Sequence, residues 1–136
     1  MVKYTFSRSY NNGITWTKPK RSNLNSPASP ATLKRIPNTD KLILVWNNNS
    51  GDVWSGYSRT PLNITISSDG GETWGQNIKL EQDLSSMFAY TSITFLQGEM
   101  LFTYYHSSTE NPHYYNLVFK KVSQEMLFKK FKSSDL

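Results

Sequence analysis

Apolar and polar residues alternate along much of this chain with the period of two that marks a half-buried strand. Val2, Tyr4 and Phe6 alternate with polar neighbours. Residues 31–36 form a second short strand, and Pro37-Asn38-Thr39-Asp40 is a turn by composition. Residues 41–46 (Lys-Leu-Ile-Leu-Val-Trp) make a continuous apolar run, expected of a strand covered on both faces. Leu62, Ile64 and Ile66 alternate again, and a further strand is expected near Ile78 and Leu80. Residues 88–96 and 100–105 read as two strands around a Gln97-Gly98-Glu99 turn, and residues 114–119 as a third. Residues 126–131 fit either a strand or a short helix. Residues 17–30 and 47–58 are rich in Asn, Ser, Pro and Gly and read as connections. The pattern predicts an all-β fold.

One turn pattern occurs twice. Ser67-Ser68-Asp69-Gly70-Gly71-Glu72-Thr73-Trp74 follows Ser-x-Asp-x-Gly-x-Thr-Trp, and Ser9-Tyr10-Asn11-Asn12-Gly13-Ile14-Thr15-Trp16 repeats it with Asn11 in place of Asp69. Each fixed position suits a tight turn between strands. A short Asx side chain folds back onto backbone N–H groups, and glycine accepts a positive φ. A β-branched Thr starts the outgoing strand, and the Trp is expected to carry apolar surface beneath the turn. The spacing of Trp16 and Trp74 is somewhat longer than the roughly 40–50 residues of a propeller blade.

Composition narrows the function classes. The 136 residues have the size of one ordinary domain, and without cysteine there is no disulfide framework or thiolate metal site. The first residues lack the apolar core of a signal peptide, and no run approaches the roughly 18 apolar residues of a membrane span. The net charge of +5 could favour an anionic ligand, but much of it lies in Lys120, Lys121, Lys129, Lys130 and Lys132, which read as a solvated or edge-protecting cluster. A nucleic-acid role rests on net charge alone, because the aromatic residues follow the strand pattern. His106 and His113 have no clustered carboxylate or thiol, so no metal site is expected, and no phosphate loop or nucleophile elbow points to a cofactor or a serine nucleophile. Asn48 and Asn63 begin Asn-x-Ser/Thr sequons.

The two turn motifs resemble the Asp-box, or BNR, repeat of the sialidase (neuraminidase) superfamily. In that family the box joins the third and fourth strands of a blade in a six-bladed β-propeller, on the outside and away from the substrate. The resemblance implies a partial propeller of about two and a third blades. Residues 1–20 would end one blade, residues 29–82 form a complete one and residues 86–136 the next. A closed six-bladed ring needs more than twice this length. The expectation is therefore a fragment completed by upstream blades, with self-association through exposed edges as the other way to cover an open arc.

The resemblance also implies a chemistry. Sialidases commonly clamp the carboxylate of an acidic sugar with three arginines, whose guanidinium forks match its two oxygens. Their nucleophile is a tyrosine with a glutamate as its base, and an aspartate is the general acid. Arg59, a few residues ahead of the second box, resembles one member of the arginine triad; the alternative is a pair with a loop carboxylate such as Asp52. Arg35-Ile36-Pro37 resembles the motif that supplies another arginine, although it follows a box here, which suits a solvent-facing Arg35. Tyr90 stands near the start of an inner strand, as nucleophile, cleft tyrosine or core tyrosine.

Two departures bear on catalysis. Ser29-Pro30 stands where relatives with the full machinery carry a Glu, and no arginine follows Arg59. The implied function is a fragment of a sialidase-like glycoside hydrolase, inactive alone, whose partner is an acidic glycan or sialoside. A non-catalytic carbohydrate-binding or scaffold propeller is the alternative.

Overall fold

Strand β4 (Leu42–Asn47) sets the architecture, because its apolar run must be covered on both sides. Ile43 and Val45 join one hydrophobic core, while Leu44 and Trp46 join a second. The computed structural model describes residues 3–50 and 59–131. Within them lie β1 (Lys3–Phe6), β2 (Lys20–Asn25), β3 (Thr32–Arg35), β4, β5 (Leu62–Ser67), β6 (Ile78–Glu81), β7 (Ser86–Leu96), β8 (Glu99–Ser108), β9 (Asn116–Ser123) and helix α1 (Gln124–Phe128). They form three antiparallel sheets, β1-β2, β3-β4-β5-β6 and β7-β8-β9. Asp52 and most of the connection at residues 47–58 lie outside the described residues.

The two cores separate the sheets in order. Tyr4, Phe6 and Leu24 of the first sheet pack on Leu44 and Trp46. On the other side, Ile43, Val45, Ile64 and Ile66 meet Phe88, Ile93, Phe102 and Tyr104 of the third sheet. Polar pins cross this second seam. The Lys34 ammonium donates to the Ile93 carbonyl at 2.6 Å and the Asn47 amide to the Phe88 carbonyl at 3.0 Å. Glu81 accepts from the Tyr104 hydroxyl and, at 2.5 Å, from Lys120. Burial, then the bond to and charge of Glu81, push the Tyr104 phenol well above its ordinary pKa.

Two local expectations change and one open alternative is resolved. Residues 17–30 are not connection throughout: β2 pairs with β1 in the register Phe6↔Lys20 and Lys3↔Asn25. Only Leu24 of β2 is buried, so backbone pairing holds a strand that the hydrophobic pattern does not mark. Strand β5 is buried at all six positions instead of alternating, since the second sheet is covered on both faces; Asn63 is consequently enclosed. The ambiguous residues 126–131 contribute to α1 and the turn after it, with Ser123 capping the Met126 N–H and Leu127 and Phe131 sealing the larger core.

Both turn motifs close as their side chains require. Asp69 accepts from the Thr73 N–H with both carboxylate oxygens, at 2.9 and 3.0 Å, and from the Thr73 hydroxyl at 2.5 Å. Asn11 reproduces this with Oδ1 accepting from the Thr15 N–H and Nδ2 donating to the Thr15 hydroxyl, both at 2.9 Å. Gly13 and Gly71 take φ of +86° and +88°. The tryptophans differ. Trp74 stacks on Phe6 of the preceding sheet at 6.5 Å, whereas Trp16 is 63% exposed, since no strand among the described residues precedes β1 to cover it. Arg8 ties the two motifs, pairing with Glu72 at 2.7 Å and donating to the Gly70 carbonyl at 3.1 Å.

Hydrogen bonds from the Thr73 side chain and backbone, then from Ser67, hold the Asp69 carboxyl well below the usual carboxylate range. A depressed folded-state pKa stabilises the fold above the ordinary carboxylate pKa, and that contribution is lost progressively as pH falls below it. Asn11 shows that an amide fits the same turn. Asp69→Asn is therefore expected to fold at neutral pH and to lose less stability on acidification. Urea midpoints at pH 7 and pH 3 measure this; an equal acid loss in parent and variant would remove Asp69 as a source of the acid limb.

Candidate functional site

The site is built where β5 and β7 begin, on either side of the seam between the second and third sheets. The Phe88 N–H donates to the Arg59 carbonyl at 2.9 Å, binding the backbone just before β5 to β7. The Thr60 hydroxyl adds a bond to the Asp83 carbonyl at 3.0 Å, and the Asn49 amide donates to the Thr60 carbonyl at 2.9 Å. Arg59 is thus fixed from several directions before its side chain is considered.

Two residues further along β7 the ladder with β8 is interrupted by an irregularity between Ala89 and Ser92. Within it Tyr90 adopts φ +56°, a left-handed conformation that costs a residue with a Cβ roughly 1–3 kcal/mol and collects at functional sites. The kink turns its ring out of the core, leaving Tyr90 56% exposed. The Arg59 guanidinium lies 5.3 Å from the ring centroid, within cation–π range. The core alternative for Tyr90 is excluded by this exposure.

Arg59 and Tyr90 line one cleft of ≈ 270 Å³, together with Met87, Ala89, Ser107, Tyr105, Pro112, His113 and Tyr115. Arg59 Nε is buried and has no hydrogen-bond partner among the described residues. Leaving a buried N–H of a charged group unsatisfied costs about 1–3 kcal/mol or more, and Trp46 Nε1, Asn63 Oδ1 and Trp74 Nε1 are left unpaired in the same way. No carboxylate stands among the described lining residues. The structure does not bring Arg35 to this cleft. Its guanidinium is solvent-exposed on β3, 3.9 Å from Asp40.

Ser29, where a glutamate was the expected catalytic type, has a buried structural role instead. Its hydroxyl donates to Asn47 Oδ1 at 2.5 Å and its carbonyl accepts from the Tyr4 hydroxyl at 2.9 Å. Asp83, Ser86 and His106 also meet, but not as a nucleophilic triad. The buried Ser86 hydroxyl donates to Asp83 at 2.7 Å, and His106 Nε2 lies 3.0 Å from the same oxygen. The serine proton is spent on the carboxylate, so this network braces the turn ahead of β7. Hydrogen bonds from Ser85 and Ser86 hold the Asp83 carboxyl below its ordinary pKa, with a smaller contribution from His106. Among the described residues no group of three His, Asp or Glu is placed to hold a metal ion.

The model of the BNR repeat-like domain matches residues 3–106, which include both turn motifs, Arg59 and Tyr90. This chain belongs to the BNR repeat-like family. The match covers all of β1–β7 and most of β8, so the family pattern spans both sides of the Arg59–Tyr90 cleft. No curated protein matches the BNR chain.

Sequence reasoning missed Tyr105, His113 and Tyr115. A signal for Tyr105 was present: adjacent residues of a strand point to opposite faces, so where only one face of a strand is covered, one of Tyr104 and Tyr105 lies outside the core. The structure buries Tyr104 and leaves Tyr105 45% exposed.

Proposed function

We propose that this BNR chain is part of a six-bladed sialidase-type propeller and that its cleft binds the carboxylate of a sialic acid or related acidic sugar. Its three sheets are read as the end of one blade, a complete blade and most of the next, about two and a third blades. The exposed Leu117 and Phe119 of β9 then lie against a further blade of the ring. The observation that carries the binding assignment is the Arg59 guanidinium in the cleft wall, 5.3 Å from the Tyr90 ring centroid and with no carboxylate among the described lining residues. A carboxylate can accept from two guanidinium N–H groups together, which matches the fork. Tyr90 supplies a polar hydroxyl over the same space, in the role of nucleophile in the assembled enzyme.

A second reading, binding without hydrolysis, is favoured by one specific feature. Ser29 is committed to buried hydrogen bonds where the hydrolytic family carries a glutamate, and no described lining residue offers a carboxylate. For the isolated chain both readings give the same expectation, a binder without turnover.

Titration with free N-acetylneuraminic acid tests the assignment. Millimolar affinity is expected, about −4 kcal/mol, because the contact is partly open to solvent. Binding is expected to vanish in Arg59→Ala, to persist in Arg35→Ala, and to fail with the methyl ester of the sugar. Equal binding of acid and ester, or retention in Arg59→Ala, would contradict the carboxylate clamp.

A further inference from the structure

The two turn motifs share a backbone but not a surface. Their fixed positions make the same bonds, since Asn11 reaches the Thr15 N–H and hydroxyl as Asp69 reaches those of Thr73. At the variable positions the first motif is apolar where the second is polar: Tyr10 stands for Ser68 and Ile14 for Glu72. These two side chains are 83% and 81% exposed, and neither joins a hydrophobic core. The second motif closes with Ser and Glu at the same places, so the turn itself does not call for Tyr and Ile. Trp16 is not part of this projecting tip. Its indole N–H donates to the Gly13 carbonyl at 3.0 Å, which folds the ring back against the turn.

Charge changes in the same direction. Asn11 for Asp69 and Ile14 for Glu72 remove both carboxylates from the first motif. Arg8, Lys18, Lys20 and Arg21 flank it, and residues 1–39 contain no Asp or Glu. Of the second motif's two carboxylates, Asp69 is turned onto Thr73, and Glu72 pairs with Arg8 at 2.7 Å and Lys20 at 3.5 Å. Four cations against Glu72 leave this corner basic.

We propose that the first motif is a docking tip for an anionic lipid bilayer, with Tyr10 and Ile14 entering the headgroup layer and the flanking cations resting on its negative surface. The tip lies on the membrane and does not span it. A tyrosine, apolar in its ring and polar at its hydroxyl, suits the headgroup level, and isoleucine suits the acyl boundary just beneath. Two projecting side chains are too few for a stable protein–protein interface, which takes about 800 Å² from each partner. At a bilayer the same two add to the attraction between basic residues and anionic lipid. The placement leaves the cleft free. Strand β5 runs from the Arg59 end of the sheet to Ser67, where the second motif begins, and Arg8 ties the first motif to that end. A docked chain therefore holds its cleft away from the lipid, whatever the cleft binds.

The test is co-sedimentation of the full chain with two kinds of vesicle, phosphatidylcholine alone and an equal mixture of phosphatidylcholine and phosphatidylserine. The parent is expected to bind the mixed vesicles about tenfold more tightly than the neutral ones, and to be released as salt is raised. Tyr10→Ser with Ile14→Ser keeps the charge and should weaken binding to the mixed vesicles about tenfold. Lys18→Gln with Lys20→Gln should weaken it by a similar factor. All four positions are exposed, and unchanged urea midpoints check that both variants fold. Equal binding to the two vesicles, or none to either, would overturn the proposal. So would full binding by the Tyr10, Ile14 variant, since cations alone would then hold the chain. A parent that self-associates without lipid, and a tip variant that does not, would overturn it too by making the tip a contact between copies.

Discussion

Phe102→Ala is expected to lower the unfolding free energy by about 3–5 kcal/mol, the cost of emptying a fully enclosed aromatic site. Phe102 has no exposed surface and sits in the core between the second and third sheets. A domain of this size has roughly 5–15 kcal/mol of stability in total, so the variant should lose a large fraction of it. The effect reaches the cleft, because Arg59 is held from one side of that core and Tyr90 from the other. Urea unfolding followed by tryptophan fluorescence measures the loss. A cost below about 1 kcal/mol would mean that the two sheets do not depend on a shared core.

The second large effect is an absence of turnover. Enzymes accelerate their reactions by at least about a millionfold, and glycoside hydrolysis draws that from a nucleophile or base and an acid in one cleft. Among the described lining residues of this cleft, Tyr90 is a candidate nucleophile, but none is a carboxylate that could take its proton or protonate a leaving group. The isolated chain is therefore expected to release no fluorophore from an aryl sialoside above the rate in buffer, even at high protein concentration. Turnover that survives rigorous purification and disappears in Tyr90→Phe would show that the chain builds a hydrolytic site after all.

What was legible in the chain follows from how local each feature is. The turn motifs could be read from residue types because their hydrogen bonds close within a few positions: Asp69 to Thr73, Asn11 to Thr15. Strand β4 was legible because a strand covered on both faces leaves an unbroken apolar run. Strand β2 was not, since an exposed polar strand is held by backbone bonds to β1 that no side chain announces. Trp16 and Trp74 have the same motif and different burial because cover comes from another sheet. In the cleft, Arg59 and Tyr90 were found through family resemblance, which also suggested Arg35 on a motif that the fold places at the surface. Tyr105 and Tyr115 enter the site only through the β7–β8–β9 register and the kink at Tyr90, both long-range consequences of sheet formation.

The central claim is that the Arg59 guanidinium holds the carboxylate of an acidic sugar. The chain has four arginines, Arg8, Arg21, Arg35 and Arg59, so their Nε–H signals form a small set that nitrogen-15 correlation spectroscopy can assign by substitution. Adding N-acetylneuraminic acid should move the Arg59 Nε–H signal as its guanidinium gains a carboxylate, while those of Arg8 and Arg35, whose guanidinium groups pair with Glu72 and Asp40, stay in place. A still Arg59 signal at sugar concentrations that shift another arginine would contradict the account.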